Sequence, residues 1–194
     1  MKKTNKNKLS DGLNLCIFCG SKNGSDPDFE KYARNLGVIM AKQSINLIYG
    51  GGNTGLMGTI SKAIVENGGY AKGIIPNFLE IDNDKPRYSD ITIVSDMYER
   101  KKMMLAISDA FCVLPGGLGT IDEFFEILAF RQLGLHKKPL ILANWKGYWD
   151  GLIKNMVYTE EKQFNYISIN RLFKITEGIS DILHIVRKEL QNPD

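Results

Sequence analysis

The sequence has no uninterrupted apolar run approaching the roughly 20 residues that a membrane-spanning helix requires. The apolar stretch nearest its start, Leu13 to Cys19, is broken by Asn14 and does not read as the core of a secretion signal. A cytoplasmic protein with no membrane partner is therefore expected. An excess of one charge is also missing: 25 basic residues stand against 22 acidic ones, a net charge of +3. Four of the lysines (Lys2, Lys3, Lys6 and Lys8) crowd the first ten residues, and the remainder is close to balanced. No nucleic-acid partner is expected from such a distribution. Cysteine is limited to three, an odd count that points to reduced thiols rather than a disulfide framework. Cys16 and Cys19 do form a C-x-x-C. They fall inside an expected strand, however, where residues three apart face opposite sides, so core packing accounts for them. A zinc site needs a second pair of ligands, and the two histidines, His136 and His184, lie far apart in the chain. No metal is expected.

What the sequence does contain is a regular alternation of short apolar runs and longer amphipathic ones. Residues 1–12 read as a solvated tail and 13–190 as one domain, a size that can bury a sizeable core. Strands are predicted at Leu13–Cys19, Asn46–Tyr49, Tyr70–Ile75, Ile91–Val94, Ala110–Leu114, Leu140–Ala143 and Leu172–Ile175. Helices are predicted from Asp26-Pro27 to about Gln43, Leu56 to Asn67, Met97 to Ser108, Thr120 to Leu133, Tyr148 to Lys162, and Ser180 to Leu190. Asp96, Thr120 and Ser180 are read as helix caps, and Gly68-Gly69 and Gly134 as stops. Pro76 to Ser89, polar and carrying Pro86, reads as a mobile loop over the site. The alternation implies an α/β fold, a parallel sheet with helices on both faces. Ligands in such folds bind at the C-terminal ends of the strands, where strand order reverses.

Two glycine clusters fall at such ends. Gly50-Gly51-Gly52-Asn53-Thr54-Gly55 fits G-x-G-x-x-G between a strand and a helix. It lacks the acidic residue that a dinucleotide site places about 20 residues on, and no Gly-Lys-Ser/Thr follows. Pro115 to Glu123 is more informative. Pro115 ends a strand because it donates nothing to the ladder. Gly116, Gly117 and Gly119 let the backbone turn with its N–H groups exposed. The helix expected from Thr120 offers free N–H groups and a dipole that favour an anion such as phosphate.

Glu123 has two readings. Thr120-x-x-Glu123 is a capping box, which gives the glutamate a purely local role. A fixed carboxylate beside a phosphate is otherwise awkward, unless positive charge develops nearby during a reaction. Cleavage of an N-glycosidic bond does this, through an oxocarbenium-like ribosyl centre. Arg100 and Lys101 sit in the first turn of their helix, where cations oppose the dipole. Either an anionic ligand or a solvated basic face including Lys102 explains them. Met97, Met103 and Met104 read more readily as core than as a purine pocket.

Three motifs in order, Gly50-Gly51-Gly52-x-x-Gly55-Leu56-Met57-Gly58, Met97-x-x-Arg100-Lys101 and Pro115-Gly116-Gly117-x-Gly119-Thr120-x-x-Glu123, resemble the LOG family. Its members are cytokinin riboside 5′-monophosphate phosphoribohydrolases, many labelled "lysine decarboxylase". The resemblance runs from about Leu13 to Leu190 and includes Cys19-Gly20-Ser21, Gly73-Ile74-Ile75-Pro76 and Gln132-Leu133-Gly134. It implies a single-domain, Rossmann-like doubly wound fold and a homodimer that needs neither cofactor nor metal. It implies hydrolysis of AMP or N6-modified AMP to free base and ribose 5-phosphate. Arg100 and Glu123 match the family's catalytic pair. Gly116, Gly117, Gly119 and Thr120 match its phosphate loop, Lys101 its substrate-side lysine, and Ser21, Gly51, Gly52 and Met97 further substrate contacts. Two departures bear on the base preferred. Asp122 stands where many relatives carry glutamate, and Ala129-Phe130 where many carry Thr-Trp. Three alternatives remain open at this point. One is a non-catalytic Rossmann-like nucleotide carrier using the same loops. The others are a pyridoxal-phosphate decarboxylase, for which no Schiff-base lysine is marked, and a nicotinamide enzyme lacking its ribose acid.

Overall fold

The first strand, β1 (Asn14–Phe18), shows how the sheet sorts its side chains. Successive residues of a strand face opposite sides. Leu15 and Ile17 enter one apolar cluster, while Cys16 and Phe18 enter the other. Cys19 joins the first, so the C-x-x-C does span the sheet, and all three cysteines are free, buried thiols. The computed structural model describes residues 12–80 and 88–192. Residues 1–11 of the expected N-terminal tail lie outside the described residues.

The remaining strands are β2 (Asn46–Tyr49), β3 (Ala71–Pro76), β4 (Asp90–Val94), β5 (Ala110–Val113), β6 (Leu140–Ala143) and β7 (Lys174–Thr176). They form one seven-stranded sheet in the order β4-β3-β2-β1-β5-β6-β7, with every pairing parallel. A parallel sheet must be covered on both faces, which is why the inner strands β2, β5 and β6 are buried throughout. Helices α1 (Pro27–Lys42) and α2 (Gly55–Glu66) pack against the first cluster. The second is covered by α4 (Met97–Ile107), α5 (Leu118–Gln132) and α6 (Asp150–Glu161). The short α3 (Asn77–Glu80) and α7 (Ile169–Leu172) and the final α8 (Ile179–Gln191) complete the chain. Among the described residues no helix is long and apolar enough to cross a membrane.

The α/β class is as expected, but several boundaries are not. Thr120 does not cap α5: the cap is Gly117 and the helix starts two residues before Thr120. Glycine at the cap lets the backbone leave the strand end without a side chain in the way. Ser180 likewise lies inside α8, whose cap is Gly178. The apolar pair Leu172-Phe173 reads as strand because it is buried. Leu172 instead closes a helical turn packed on the second cluster, and the strand begins at Lys174. Pro76 is not the start of a loop. It is the last residue of β3, opposite Val94, and α3 follows at once. Half of the expected loop, 81–87, lies outside the described residues.

Candidate active site

Strand order reverses between β1 and β5. From β1 the chain steps outward to β4, then returns to β5 and steps outward the other way. Loops at the C-terminal ends of such a pair diverge and leave a crevice between them. Here the crevice is bounded by the loops after β1 and β5, which are tied where the Gly20 N–H donates to the Pro115 carbonyl at 3.0 Å.

Two helices begin beside this crevice, and their starts differ. The Gly20 carbonyl accepts from the N–H groups of both Leu56 (3.0 Å) and Met57 (3.3 Å), at the first turn of α2. The Thr54 hydroxyl adds a bond to the Ser21 carbonyl at 3.1 Å. The chain's own oxygens thus occupy the start of α2, where the first glycine cluster ends. Gly55 sits there at φ +60, in the left-handed region, and a Cβ on it would collide with the Ser21 carbonyl. The pattern G-x-G-x-x-G here serves close packing between loops. By contrast α5 starts at Gly117 with no side-chain cap, and both Gly117 and Gly119 face open space. Helix geometry leaves the N–H groups of Leu118, Gly119 and Thr120 without intrahelical partners. Thr120 is buried and its hydroxyl lies against Gly116.

The capping-box reading of Glu123 is overturned by where its carboxylate goes. Arg100 Nη2 meets Glu123 Oε1 at 2.8 Å, and the two side chains are only 9% and 8% exposed. The reciprocal cap is found instead at α4: Asp96 accepts from the Glu99 N–H at 2.8 Å, and Glu99 folds back onto the Ser95 N–H at 2.8 Å. Arg100 is held further by its Nε donating to the Ile74 carbonyl at 3.2 Å and by contact with the Met97 sulfur at 3.8 Å. Its guanidinium lies where any side chain on Gly50 would have to be. Burial pushes the Glu123 carboxyl above the usual glutamate range, Arg100 opposes that rise, and neighbouring Asp122 reinforces it. The result is a desolvated ion pair linking α4 to α5, at the C-terminal edge of the sheet. Such a pair adds little to stability for the cost of dehydrating it, which marks it as a functional candidate.

Lys101 is placed differently. It bridges Asp122 at 3.0 Å and Glu126 on α5. Burial lowers its pKa, but hydrogen bonds to Glu126 and Asp122 outweigh that and hold it above the ordinary lysine value. A Schiff-base lysine needs the opposite. Met104 is core and Met103 partly so. Gly51 takes φ +77 against Ile74 and Ile75, and Gly52 lies on Met57. Ser21 is exposed beside a cavity of about 200 Å³ lined by Gly20–Gly24, Phe29, Leu56, Pro115–Gly117 and Tyr148. Phe29 and Tyr148 escape a reading of motifs. The signal available was an aromatic residue after a glycine, Gly147-Tyr148, just beyond the end of β6. Among the described residues no group of three or more His, Cys, Asp or Glu is placed to hold a metal ion.

A family model described as "Possible lysine decarboxylase" matches residues 57–186. The chain is 37% identical over 172 residues to "Probable cytokinin riboside 5'-monophosphate phosphoribohydrolase LOG4" of Oryza sativa subsp. japonica, covering 87% of this chain and 74% of the relative. It is 43% identical over 142 residues to "Cytokinin riboside 5'-monophosphate phosphoribohydrolase LOG5" of Arabidopsis thaliana, covering 72% of this chain and 61% of the relative. Among solved structures it superimposes on the molybdenum cofactor carrier protein of Chlamydomonas reinhardtii with a TM-score of 0.70 at 18% identity, covering 93% of this chain and 99% of that one. The molybdenum cofactor binding protein of the phototrophic bacterium Rippkaea orientalis gives 0.68 at 20% identity, covering 92% and 98%. At these identities the structural likeness shows a shared fold.

Proposed function

We propose that this chain, which belongs to the LOG family, hydrolyses the N-glycosidic bond of a nucleoside 5′-monophosphate, AMP or N6-modified AMP, to the free base and ribose 5-phosphate. The observation that carries the reading is the buried Arg100–Glu123 pair set beside the open start of α5. The 5′-phosphate is taken by the N–H groups of Gly117, Gly119 and Thr120 and by the Thr120 hydroxyl, where helix dipole and unpaired donors both favour it. Ser21, Gly51, Gly52 and Met97 line the approach. As the bond between ribose C1′ and the base nitrogen breaks, its electron pair leaves with the base and positive charge grows on C1′ and the ring oxygen. Glu123 stabilises that charge or orients the attacking water, whose oxygen bonds to C1′ and whose proton replaces the lost bond on the base. Exclusion of water strengthens the Coulomb term at this carboxylate. Arg100 opposes the rise that burial imposes on the Glu123 pKa, holds the substrate and assists the departing base. Lys101 acts from behind, fixing α4 against α5.

We place the enzyme in the cytoplasm, where its three buried free thiols stay reduced. We also propose a homodimer. Leu133, Leu135, Phe164 and Tyr166, each at least two-thirds exposed, give a second copy apolar surface to cover.

The deciding experiment incubates the purified protein and a Glu123→Ala variant with AMP and with isopentenyladenosine monophosphate, and separates the products by chromatography. Release of free base by the parent, lost in the variant, is expected. Faster release from the prenylated substrate identifies a cytokinin-activating enzyme. Binding of AMP by a folded parent with no base released would overturn the hydrolase and leave a nucleotide carrier.

A further inference from the structure

The wall of the cavity at the crevice includes one side chain whose hydrogen bond is made to the phosphate loop itself. Tyr148, on the turn between β6 and α6, is partly exposed, and its hydroxyl donates to the Gly116 carbonyl at 2.7 Å. The ring is held from two sides, edge-on to Phe29 at 5.3 Å and to Trp149 at 4.7 Å. The turn that carries it is fastened at both ends. Asn144 accepts from the Trp149 N–H at 2.7 Å and donates to Asp150 at 2.8 Å. Lys146, in the left-handed region at φ 53, reaches Asp26 at 3.0 Å and Asp28 at 2.6 Å at the start of α1.

This fixture acts on a pliable peptide of the site. The bond between Gly116 and Gly117 has glycine on both sides, so little steric resistance opposes rotation of its plane. The peptide is trans, with its C=O and N–H on opposite edges. Whatever fixes the Gly116 oxygen therefore fixes the direction of the Gly117 N–H as well. If that plane turned over, a carbonyl oxygen would replace an N–H at the start of α5, and an anion would meet a partial negative charge.

We infer that Tyr148 is a positioning residue of the phosphate site: its hydroxyl holds the Gly116 carbonyl away from the start of α5 and keeps the Gly117 N–H available to the substrate's 5′-phosphate. The assignment rests on the phosphate-loop reading above. It is tested by comparing the parent protein with Tyr148→Phe, which keeps the ring contacts and removes the hydroxyl. Calorimetry measures binding of ribose 5-phosphate and adenosine directly, and of AMP in proteins that also carry Glu123→Gln so that it is not turned over. The variant is expected to bind ribose 5-phosphate and AMP about 3- to 10-fold more weakly, the effect of one lost hydrogen bond. Its affinity for adenosine, which has no phosphate, stays that of the parent. With AMP as substrate, KM rises by the same factor and kcat changes less than about twofold. Equal affinity of parent and variant for ribose 5-phosphate would overturn the role of Tyr148 while leaving the hydrolase intact, and so would a parallel loss for adenosine. A parent that binds AMP no better than adenosine would remove the phosphate loop itself, and the inference with it.

Discussion

In the proposed hydrolysis Glu123 carries two demands that pull against each other: it has to be ionised to stabilise positive charge, yet it is nearly excluded from water. Burial raises its pKa and Arg100 restrains the rise. Activity that depends on the carboxylate is therefore lost as pH falls through a value above the ordinary glutamate range of about 4.3. A profile of kcat against pH should show that acid limb. In Arg100→Met the limb should move to higher pH, because nothing then opposes desolvation. A limb unmoved in Arg100→Met would place the titration elsewhere. The pair also separates function from stability. Either single replacement strands a buried charge and is expected to cost about 3–5 kcal/mol in urea unfolding. Replacing both with methionine should leave stability unchanged or raise it by about 1–4 kcal/mol while abolishing hydrolysis. The sequence placed this glutamate at the spacing of a capping box, and spacing alone could not choose between a backbone N–H and an arginine 23 positions earlier. That choice is made by α4 lying beside α5.

The same limit applies to elements. Residue pattern locates β2, β5 and β6 to within a residue because strands buried on both faces are continuously apolar. Helix starts are harder to read. Ser and Thr are good caps in general, yet α5 and α8 are capped by glycine, Gly117 three residues before Thr120 and Gly178 two residues before Ser180. At β7 the burial of Leu172 and Phe173 imitates a strand, because both strand and helical turn can sink an apolar pair into the core. The turn after β6 belongs here too: Asn144, whose side chain bonds Trp149 and Asp150, carries no motif in the sequence. Among elements the strand β2 makes the sharpest demand, since it ends where the Arg100 guanidinium passes over Gly50. In Gly50→Ala the new methyl group and the guanidinium compete for one space. Overpacking of this kind costs about 1–3 kcal/mol of stability. The larger effect should be on kcat/KM, expected to fall at least about tenfold because displacing Arg100 also displaces the charge facing Glu123. Equal kcat/KM in parent and variant would show that Arg100 can shift without consequence.

For the whole molecule, sequence pattern supplied the parallel sheet but not its order. Where strands alternate with helices, either direction of travel from β1 satisfies the apolar pattern. The reversal between β1 and β5 is a property of packing, and it brings residues about 95 positions apart, Gly20 and Pro115, into one crevice. The assembly is testable at this scale: sedimentation should give a species of roughly twice the 21.8 kDa chain mass, and a single chain mass at assay concentration would exclude the dimer. The unequal starts of α2 and α5 have one more consequence, which concerns amide exchange with deuterated water. The amides of Leu56 and Met57 are already bonded to the chain's own Gly20 carbonyl, so they should exchange slowly whether or not nucleotide is present. Those of Gly117 and Gly119 have no helical partner and should exchange freely until an anion arrives. One half of the crevice would then report nothing about occupancy and the other half nearly everything, so that a single pair of glycine-flanked amides serves as the molecule's own gauge of bound phosphate.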